Sequence, residues 1–452
     1  MWGSYINKNG DKMKICIIGT GYIGLTEGLC FADLGHNVVC CDIVKEKIEK
    51  LQNGIPTIYE DGLEDMLKRN LAKKSIEFTT DLKYALQGKD IVFICVNTPP
   101  NPKDGSADLT ALFEVSKNIA QNLEVNDKPV IVVRSTVPVG TNKKVKKIIQ
   151  ENNKNLEFFM ASNPEFSKQG TAIHDFLKAD RIIIGVDNEI SKQAMAEVYK
   201  PLTDNGTPIL FTNIETAELI KYASNTFLAM KIAFINEIAD VCEKTGANVE
   251  EIAKAMGMDK RISPYFLQAG PGIGGSCFPK DSIALYNIGK DLGLEMELTL
   301  AISESNKKRK KAMTKKILKA SNTSLTNKRI ALLGLTFKAN TDDTRFSPAL
   351  EIIKQLWKNK TYVNAYDPKG TEKCMSMLEE KHLKTTNFFN NPYDAIRGSE
   401  LLVIDTEWEE FKHLDYKKVY DILNQKIILD LRNILNKEEM EKIGFKYICI
   451  GK

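Results

Sequence analysis

The chain has 452 residues, 43% hydrophobic and 27% charged, with a formal net charge of +4; this suits two or three soluble globular domains and gives no reason to expect a nucleic-acid partner. Its nine cysteines stand singly or as the pair Cys40 and Cys41, without a CxxC, so neither a disulfide framework nor a zinc site is indicated, no metal is expected, and a reducing cytoplasm fits best. No apolar run approaches the roughly 20 residues of a membrane span.

Residues 1–12 lack the apolar core of a signal peptide and read as a disordered extension, with Met13 a candidate natural start. From Lys14 to Asp42 the sequence reads strand, tight turn, helix, strand. The run Ile15 to Ile18 fits a strand buried on both faces, as parallel sheets require. Gly19, Gly21 and Gly24 then form GxGxxG. In a dinucleotide-binding unit the first glycine makes the turn, the second admits a pyrophosphate, and the third lets helix pack on strand. Asp42 ends the second strand about 20 residues on, where a carboxylate can bond a ribose 2′-hydroxyl and repel a 2′-phosphate. The pattern predicts NAD rather than NADP.

The apolar runs in "DIVFICVNTPP" and "PVIVVRSTVPVG" predict further strands. Thr98 and Thr136 follow them at the carboxyl edge, either as cofactor contacts or as plain turn residues. "ETAELIKYASNTFLAMKIAFINEIADVCEKTG", Glu215 to Gly246, predicts one long helix closed by glycine. Such a helix spans about 45 Å, so it is expected to connect domains and pack against a second copy of the chain. Lys221 and Asn225 share one of its faces, as a solvated flank or an oxyanion-stabilising pair. In "GGSCFPKD" Cys277 is either a nucleophile or a small buried residue. The basic run Asn306 to Lys316 reads as a solvated helix face. From about Lys328 a second strand-and-turn series begins, with strands starting near Arg329, Tyr362, Leu401 and Ile427; its first turn keeps only Gly334 of the three glycines. The expected fold is α/β: two Rossmann-like doubly wound parallel sheets joined by a long central helix, in domains 13–212, 213–322 and 323–452.

The ordered set GTGYIG, "NTPPNPKDGSADLT", "STVPVG", "SNPEF", "AELIKYASNTFLAMKIAFINEIA", "GIGGSCFPKD" and "GLTFK" strongly resembles the UDP-glucose/GDP-mannose dehydrogenase family, over nearly the whole chain from Met13. The resemblance implies oxidation of the C6 hydroxymethyl of a nucleotide sugar to a carboxylate with two NAD molecules in turn. It implies Cys277 as the nucleophile that holds the aldehyde as a thiohemiacetal and then as a thioester. It further implies Lys221 with Asn225 as oxyanion stabilisers, Asp281 in proton transfer through water, and Thr136 among the catalytic groups. Glu165 would activate water for thioester hydrolysis, although a carboxylate there could instead be a structural cap. Cofactor contacts are implied at Gly19, Gly21, Tyr22, Ile23, Gly24, Asp42, Lys45, Thr98, Thr136, Lys280 and Arg345. Substrate contacts are implied at Glu165, Phe166, Lys221, Asn225, Phe266, Leu267, Gly274, Phe337, Lys338 and Arg432, with Arg261 reaching in from a neighbouring subunit. Metal is not implied.

The chain departs from the family pattern twice: "SKQG", Ser167 to Gly170, replaces Leu-x-Glu-Gly, and Phe346 in "DTRFS" replaces an acid, which puts any salt bridge there in doubt. Ser276, Pro279, Lys280 and Asp281 resemble the glucose-type members, so UDP-glucose is the expected substrate, with GDP-mannose or a UDP-N-acetylhexosamine as alternatives. A catalytically silent NAD-binding protein would be expected to lack Cys277, Lys221 or Asp281. An enzyme of the 3-hydroxyacid or 6-phosphogluconate dehydrogenase kind would need neither the thiol nor a second nucleotide-binding sheet. At least a homodimer is expected.

Overall fold

The computed structural model describes residues 12–452; the expected N-terminal extension otherwise lies outside the described residues. Internal contacts divide the chain into two units that meet in sequence at Ala223 and Ser224.

The first unit is built on eight strands: β1 (Lys14–Ile18), β2 (Asn37–Cys41), β3 (Ile76–Thr79), β4 (Ile91–Ile94), β5 (Val130–Val133), β6 (Phe159–Ser162), β7 (Ile182–Val186) and β8 (Ile209–Thr212). They lie in the order β3-β2-β1-β4-β5-β6-β7-β8, so the direction of winding reverses beside β1, where open α/β sheets bind ligands. Alternate residues of β1 explain the unbroken apolar run: Ile15 and Ile17 enter one core, and Cys16 and Ile18 enter the core on the other face. The expected all-parallel sheet needs one correction, because β7 runs antiparallel to β6. The connection leaves the carboxyl end of β6 and is fastened there by Arg134, which donates to the carbonyls of Asn163 and Pro164. The chain turns back at that edge, pairing Ser162 with Gly185.

The second unit contains β9 (Arg329–Leu333), β10 (Tyr362–Tyr366), β11 (Thr386–Phe388), β12 (Leu402–Ile404), β13 (Ile427–Asp430) and β14 (Lys446–Cys449). These are all parallel, in the order β11-β10-β9-β12-β13-β14. Four begin within one residue of the expected starts; β11 and β14 were not anticipated. Gly334 after β9 repeats Gly19 after β1. Both have positive φ, +96° and +100°, and each donates its N–H across to the end of the next strand, Tyr366 and Cys41 respectively.

The helix Ile214–Thr245 has 32 residues and passes the sequence boundary between the units unbroken. It stops where Gly246 turns to φ +77° and bonds back to the Cys242 carbonyl at 2.9 Å, which satisfies a terminal carbonyl. The basic run lies in the helix Glu297–Ala320; Lys307, Lys308, Lys311 and Lys315 are exposed as a solvated face requires, and the expectation is corrected at Arg309 and Lys310. Arg309 is buried and donates to the Gly270 carbonyl at 2.9 Å and to Asp240, while Lys310 donates to the Phe346 carbonyl at 2.6 Å. Arg309 shares the buried stripe of Ile302, Met313 and Ile317, so helical periodicity turns it inward despite its charge.

Candidate functional site

In the first unit the three glycines do different work. A Cβ on Gly19 would lie 2.8 Å from the Cys95 carbonyl oxygen, and one on Gly24 only 1.9 Å from that of Gly19. A Cβ on Gly21 would meet only Asn97 Oδ1, at 3.9 Å. Gly19 and Gly24 thus answer to protein packing, whereas the room above Gly21 is open to a ligand. Gly21 is also the N-cap of the helix Tyr22–Asp33 and uses no side chain to satisfy its N–H groups, which leaves the positive end of the helix for an anion. Asp42 accepts from the Thr20 N–H at 2.9 Å, the Thr20 hydroxyl at 2.8 Å and the Val44 N–H at 3.0 Å. Burial opposes its charge, but these bonds and Lys47 outweigh it and hold the carboxyl below the usual carboxylate range. A fixed, ionised Asp42 beside an open phosphate cradle fits NAD. Lys45 is exposed and pairs with Glu49. The Thr98 hydroxyl donates to the Thr136 carbonyl at 2.8 Å, so these two residues meet across adjacent strand ends.

Glu165 and Lys221 form a buried pair. The ammonium donates to the Glu165 carbonyl oxygen and to Oε1 at 3.0 Å, while Oε2 accepts the Ser167 N–H at 2.8 Å. Phe166 lies beneath Arg181, with Lys221 Nζ also 5.1 Å from its ring centre. The "SKQG" departure is thus accommodated: its bonds to Glu165 and to Glu60 come from the backbone of Ser167 and Gly170.

Sequence reasoning missed what holds this segment. Arg134 grips Glu27 with two bonds of 2.6 Å, and the same guanidinium reaches the Asn163 and Pro164 carbonyls at 2.7 and 3.0 Å. Burial pushes the Glu27 carboxyl up, against the pull of Arg134. Glu218, from the long helix, accepts the N–H groups of Gly140 and Asn142 at 2.7 and 2.8 Å and so fixes the loop that follows Thr136.

In the second unit Cys277 is exposed, whereas the other eight cysteines are buried. It is the N-cap of the helix Phe278–Asp291, with Pro279 in the first turn. Arg345 lies within electrostatic reach of the sulfur. A helix N-terminus and a guanidinium both favour a thiolate. Asp281 is buried one turn on; its N–H bonds the Cys277 carbonyl at 2.8 Å. Its carboxylate accepts from Asn225 Nδ2 at 2.6 Å and Lys280 Nζ at 2.7 Å. The expected grouping of Lys221 with Asn225 is refined accordingly: each is bonded to an acid of its own, Glu165 and Asp281.

Gly274 and Gly275 press on Phe337: a Cβ on either would come within 2.6 and 2.9 Å of that side chain. The Gly275 N–H donates to the Arg345 carbonyl at 2.8 Å. Phe346, in place of the acid of the family pattern, takes a left-handed φ of +54° and is exposed. The ion pair there is made by its neighbours instead, Arg345 clasping Asp343 at 2.6 Å. Arg432 donates to the Asp405 carbonyl at 2.7 Å and the Phe337 carbonyl at 2.8 Å, and Lys338 Nζ stands 5.7 Å from the Phe337 ring centre. Gly274, Phe337, Lys338, Arg345 and Arg432 are thereby gathered at the carboxyl edge of the second sheet. Beneath them Asp405 is buried, and burial raises its carboxyl to about 7 against the nearby Arg432. Phe266 stacks obliquely on Phe278 with ring centres 5.8 Å apart, and Leu267 is buried. Arg261 stands apart: its side chain is 90% exposed and paired with Asp259.

Residues 13–203 match the NAD binding domain of the UDP-glucose/GDP-mannose dehydrogenase family, 215–308 its central domain and 331–437 its UDP binding domain. The chain is 46% identical to a UDP-glucose 6-dehydrogenase of Rhizobium meliloti, covering 97% of this chain and 100% of that one. It is 42% identical to the UDP-glucose 6-dehydrogenase TuaD of Bacillus subtilis over 97% and 93%. Among solved structures, a UDP-glucose dehydrogenase from Pyrobaculum islandicum superposes with a TM-score of 0.89 at 34% identity, covering 98% of each chain. The chain belongs to the UDP-glucose/GDP-mannose dehydrogenase family and takes NAD as its cofactor.

Proposed function

We propose that the chain oxidises the C6 hydroxymethyl of UDP-glucose to the carboxylate of UDP-glucuronate through a covalent intermediate on Cys277. The observation that carries this reading is the thiol itself: the exposed cysteine stands at a helix N-terminus beside Arg345, while the other eight are buried. The relatives named UDP-glucose 6-dehydrogenase support the choice of sugar.

When bound, NAD supplies the hydride acceptor for each of the two oxidations. The residues supply the rest. The Cys277 thiolate adds to the C6 aldehyde carbon, forming a C–S bond, and the resulting alkoxide takes up a proton. A second oxidation turns this thiohemiacetal into a thioester. Lys221 stabilises negative charge developing on oxygen, and Asp281, fixed by Asn225 and Lys280, exchanges protons through water. Glu165 takes a proton from the water whose oxygen bonds to the acyl carbon; the C–S bond breaks and the thiolate leaves. Segments 13–212, 213–322 and 323–452 would serve as NAD-binding, central and UDP-binding domains. For the UDP the candidates are Lys338 and Arg432, whose fixed charges suit phosphate.

A homodimer is part of the same proposal. Phe227, Phe234 and Val241 recur every seven residues on the long helix and are 58%, 48% and 56% exposed. An apolar stripe of that length calls for cover, and Arg261 is available to a second copy. A cytoplasmic setting rests on the eight buried cysteines, none of which is in a disulfide.

The test is the yield of NADH per UDP-glucose consumed, with UDP-N-acetylglucosamine and GDP-mannose in parallel. Two NADH per sugar, abolished in Cys277→Ser, is the expected result. Turnover of a different sugar alone would overturn the substrate, and activity indifferent to Cys277 would overturn the mechanism.

A further inference from the structure

Glu60 belongs to none of the groups given a chemical role above, yet it is buried and both its oxygens are engaged over long stretches of sequence. Oε1 accepts the Ala172 N–H at 2.7 Å. Oε2 accepts the Gly170 N–H at 2.8 Å and the Tyr22 hydroxyl, which itself lies 2.8 Å from the Gly170 nitrogen. A carboxylate is withdrawn from water at heavy cost unless its lone pairs are filled, and here the donors come from two distant places. Tyr22 is the first residue of the helix that starts at the glycine cradle. Gly170 and Ala172 close the segment that carries Glu165 and Phe166.

That segment is held differently at its two ends. Before Glu165, the Asn163 and Pro164 carbonyls are gripped by Arg134, and the Asn163 amide is fixed by the Tyr199 hydroxyl at 2.6 Å and the Ile183 carbonyl at 2.8 Å. After Glu165, Asp175 accepts from the Lys168 N–H and the Thr171 hydroxyl, but Asp175 belongs to the short helix that the segment leads into. In this set of bonds, the trailing end is tied to the body of the unit by Glu60 and by the Tyr22 hydroxyl that donates to it. Both anchors lead back to the helix Tyr22–Asp33, one through Tyr22 and the other through Glu27 and Arg134.

We infer that Glu60 is a positioning residue for Glu165, holding the Phe166–Gly170 segment so that the Glu165 carboxylate meets the water that hydrolyses the Cys277 thioester. The inference rests on the reading of Glu165 given under the proposed function. Glu60→Gln keeps the shape but sets an NH2 group against the Gly170 or Ala172 N–H, so the trailing end loosens. Displacement of a catalytic group by about 1 Å costs on the order of 100-fold in rate. Hydrolysis then lags behind the two oxidations.

The experiment mixes full-length enzyme with saturating UDP-glucose and NAD, quenches in acid within a few turnovers and weighs the intact chain. Glu165→Gln is the reference and Cys277→Ser the blank. For Glu60→Gln the expected result is a burst of two NADH per chain, turnover slowed on the order of 10- to 100-fold, and a UDP-glucuronyl adduct on Cys277. A purely structural loss would lower the amount of folded chain without trapping that adduct. If Glu165→Gln traps the adduct and folded Glu60→Gln does not, the inference is overturned and the function stands. If neither traps it, the role of Glu165 is overturned and the inference falls with it. Should Glu60→Gln lose its thermal transition, Tyr22→Phe removes a single donor to Glu60 and makes the same test: a smaller adduct fraction supports the inference, and none overturns it.

Discussion

Replacing Arg134 by methionine removes four hydrogen bonds, two of 2.6 Å to Glu27 and two to the Asn163 and Pro164 carbonyls at 2.7 and 3.0 Å. It leaves Glu27, 1% exposed, as a buried charge without its cation. Breaking such a pair from one side costs about 3–5 kcal/mol. For a unit of about 200 residues each kcal/mol moves the melting temperature by roughly 2–4 °C, so Tm should fall by about 6–20 °C, read by calorimetry. The pH dependence follows from burial, which raises the Glu27 carboxyl even with Arg134 present. A carboxyl whose folded value is raised keeps its proton better folded than unfolded. The stability this brings is complete below the unfolded value of roughly 4.3 and is lost as pH rises through the folded value. Without Arg134 the deficit should therefore be larger at about pH 8 than at about pH 5. Glu27→Leu combined with Arg134→Met should recover part of the loss, because the orphaned charge is gone. A single variant within about 1 kcal/mol of the parent, or a double variant as unstable as the sum of the singles, would refute the reasoning.

Gly24→Ala should destabilise the first unit by about 1–3 kcal/mol, because its Cβ would press on backbone. Gly21→Ala should leave Tm nearly unchanged and weaken NAD binding about tenfold or more, measured by calorimetric titration; parent-like affinity would mean that the open space is not the cofactor's. Asp405 sits at about 7 through burial, so the stability linked to its proton is complete below roughly pH 3.9 and lost as pH rises through about 7. Asp405→Asn should flatten that decline, on the order of 4 kcal/mol, in denaturation curves collected up to about pH 7, where Lys310, lowered to about 8 by burial, keeps most of its charge. Phe234→Glu should shift the protein towards monomer in light scattering and lower its activity; unchanged mass would show that the stripe is not the interface.

Much of the architecture was legible because a strand buried on both faces must be apolar along its buried length, as β4, β5 and β1 after its exposed Lys14 are. The glycine turn and Asp42 were legible because their spacing is local. Strand direction was not: nothing in "RIIIGV" distinguishes β7 as antiparallel, since direction depends on the path of the chain between β6 and β7. Glu27, Glu60 and Arg134 escaped for a related reason. Glu27 is a charged residue in an ordinary helix, Glu60 and Arg134 are charged residues in loops, and their partners lie 107, 110 and 29 residues away. Arg309 could have been read inward, because it falls in register with Ile302, Met313 and Ile317, but its charge outweighed its phase.

The distribution of sulfur has a practical consequence. Burial raises Cys16, Cys30, Cys40, Cys41, Cys95, Cys374 and Cys449 above the ordinary thiol range, and reagents that need a thiolate meet Cys277 first. A single equivalent of iodoacetamide should therefore count accessible Cys277 thiols in any preparation. A mild oxidant should act first at that one sulfur, reversibly up to the sulfenic acid, and on the mechanism proposed above it would silence the protein before it harms the fold.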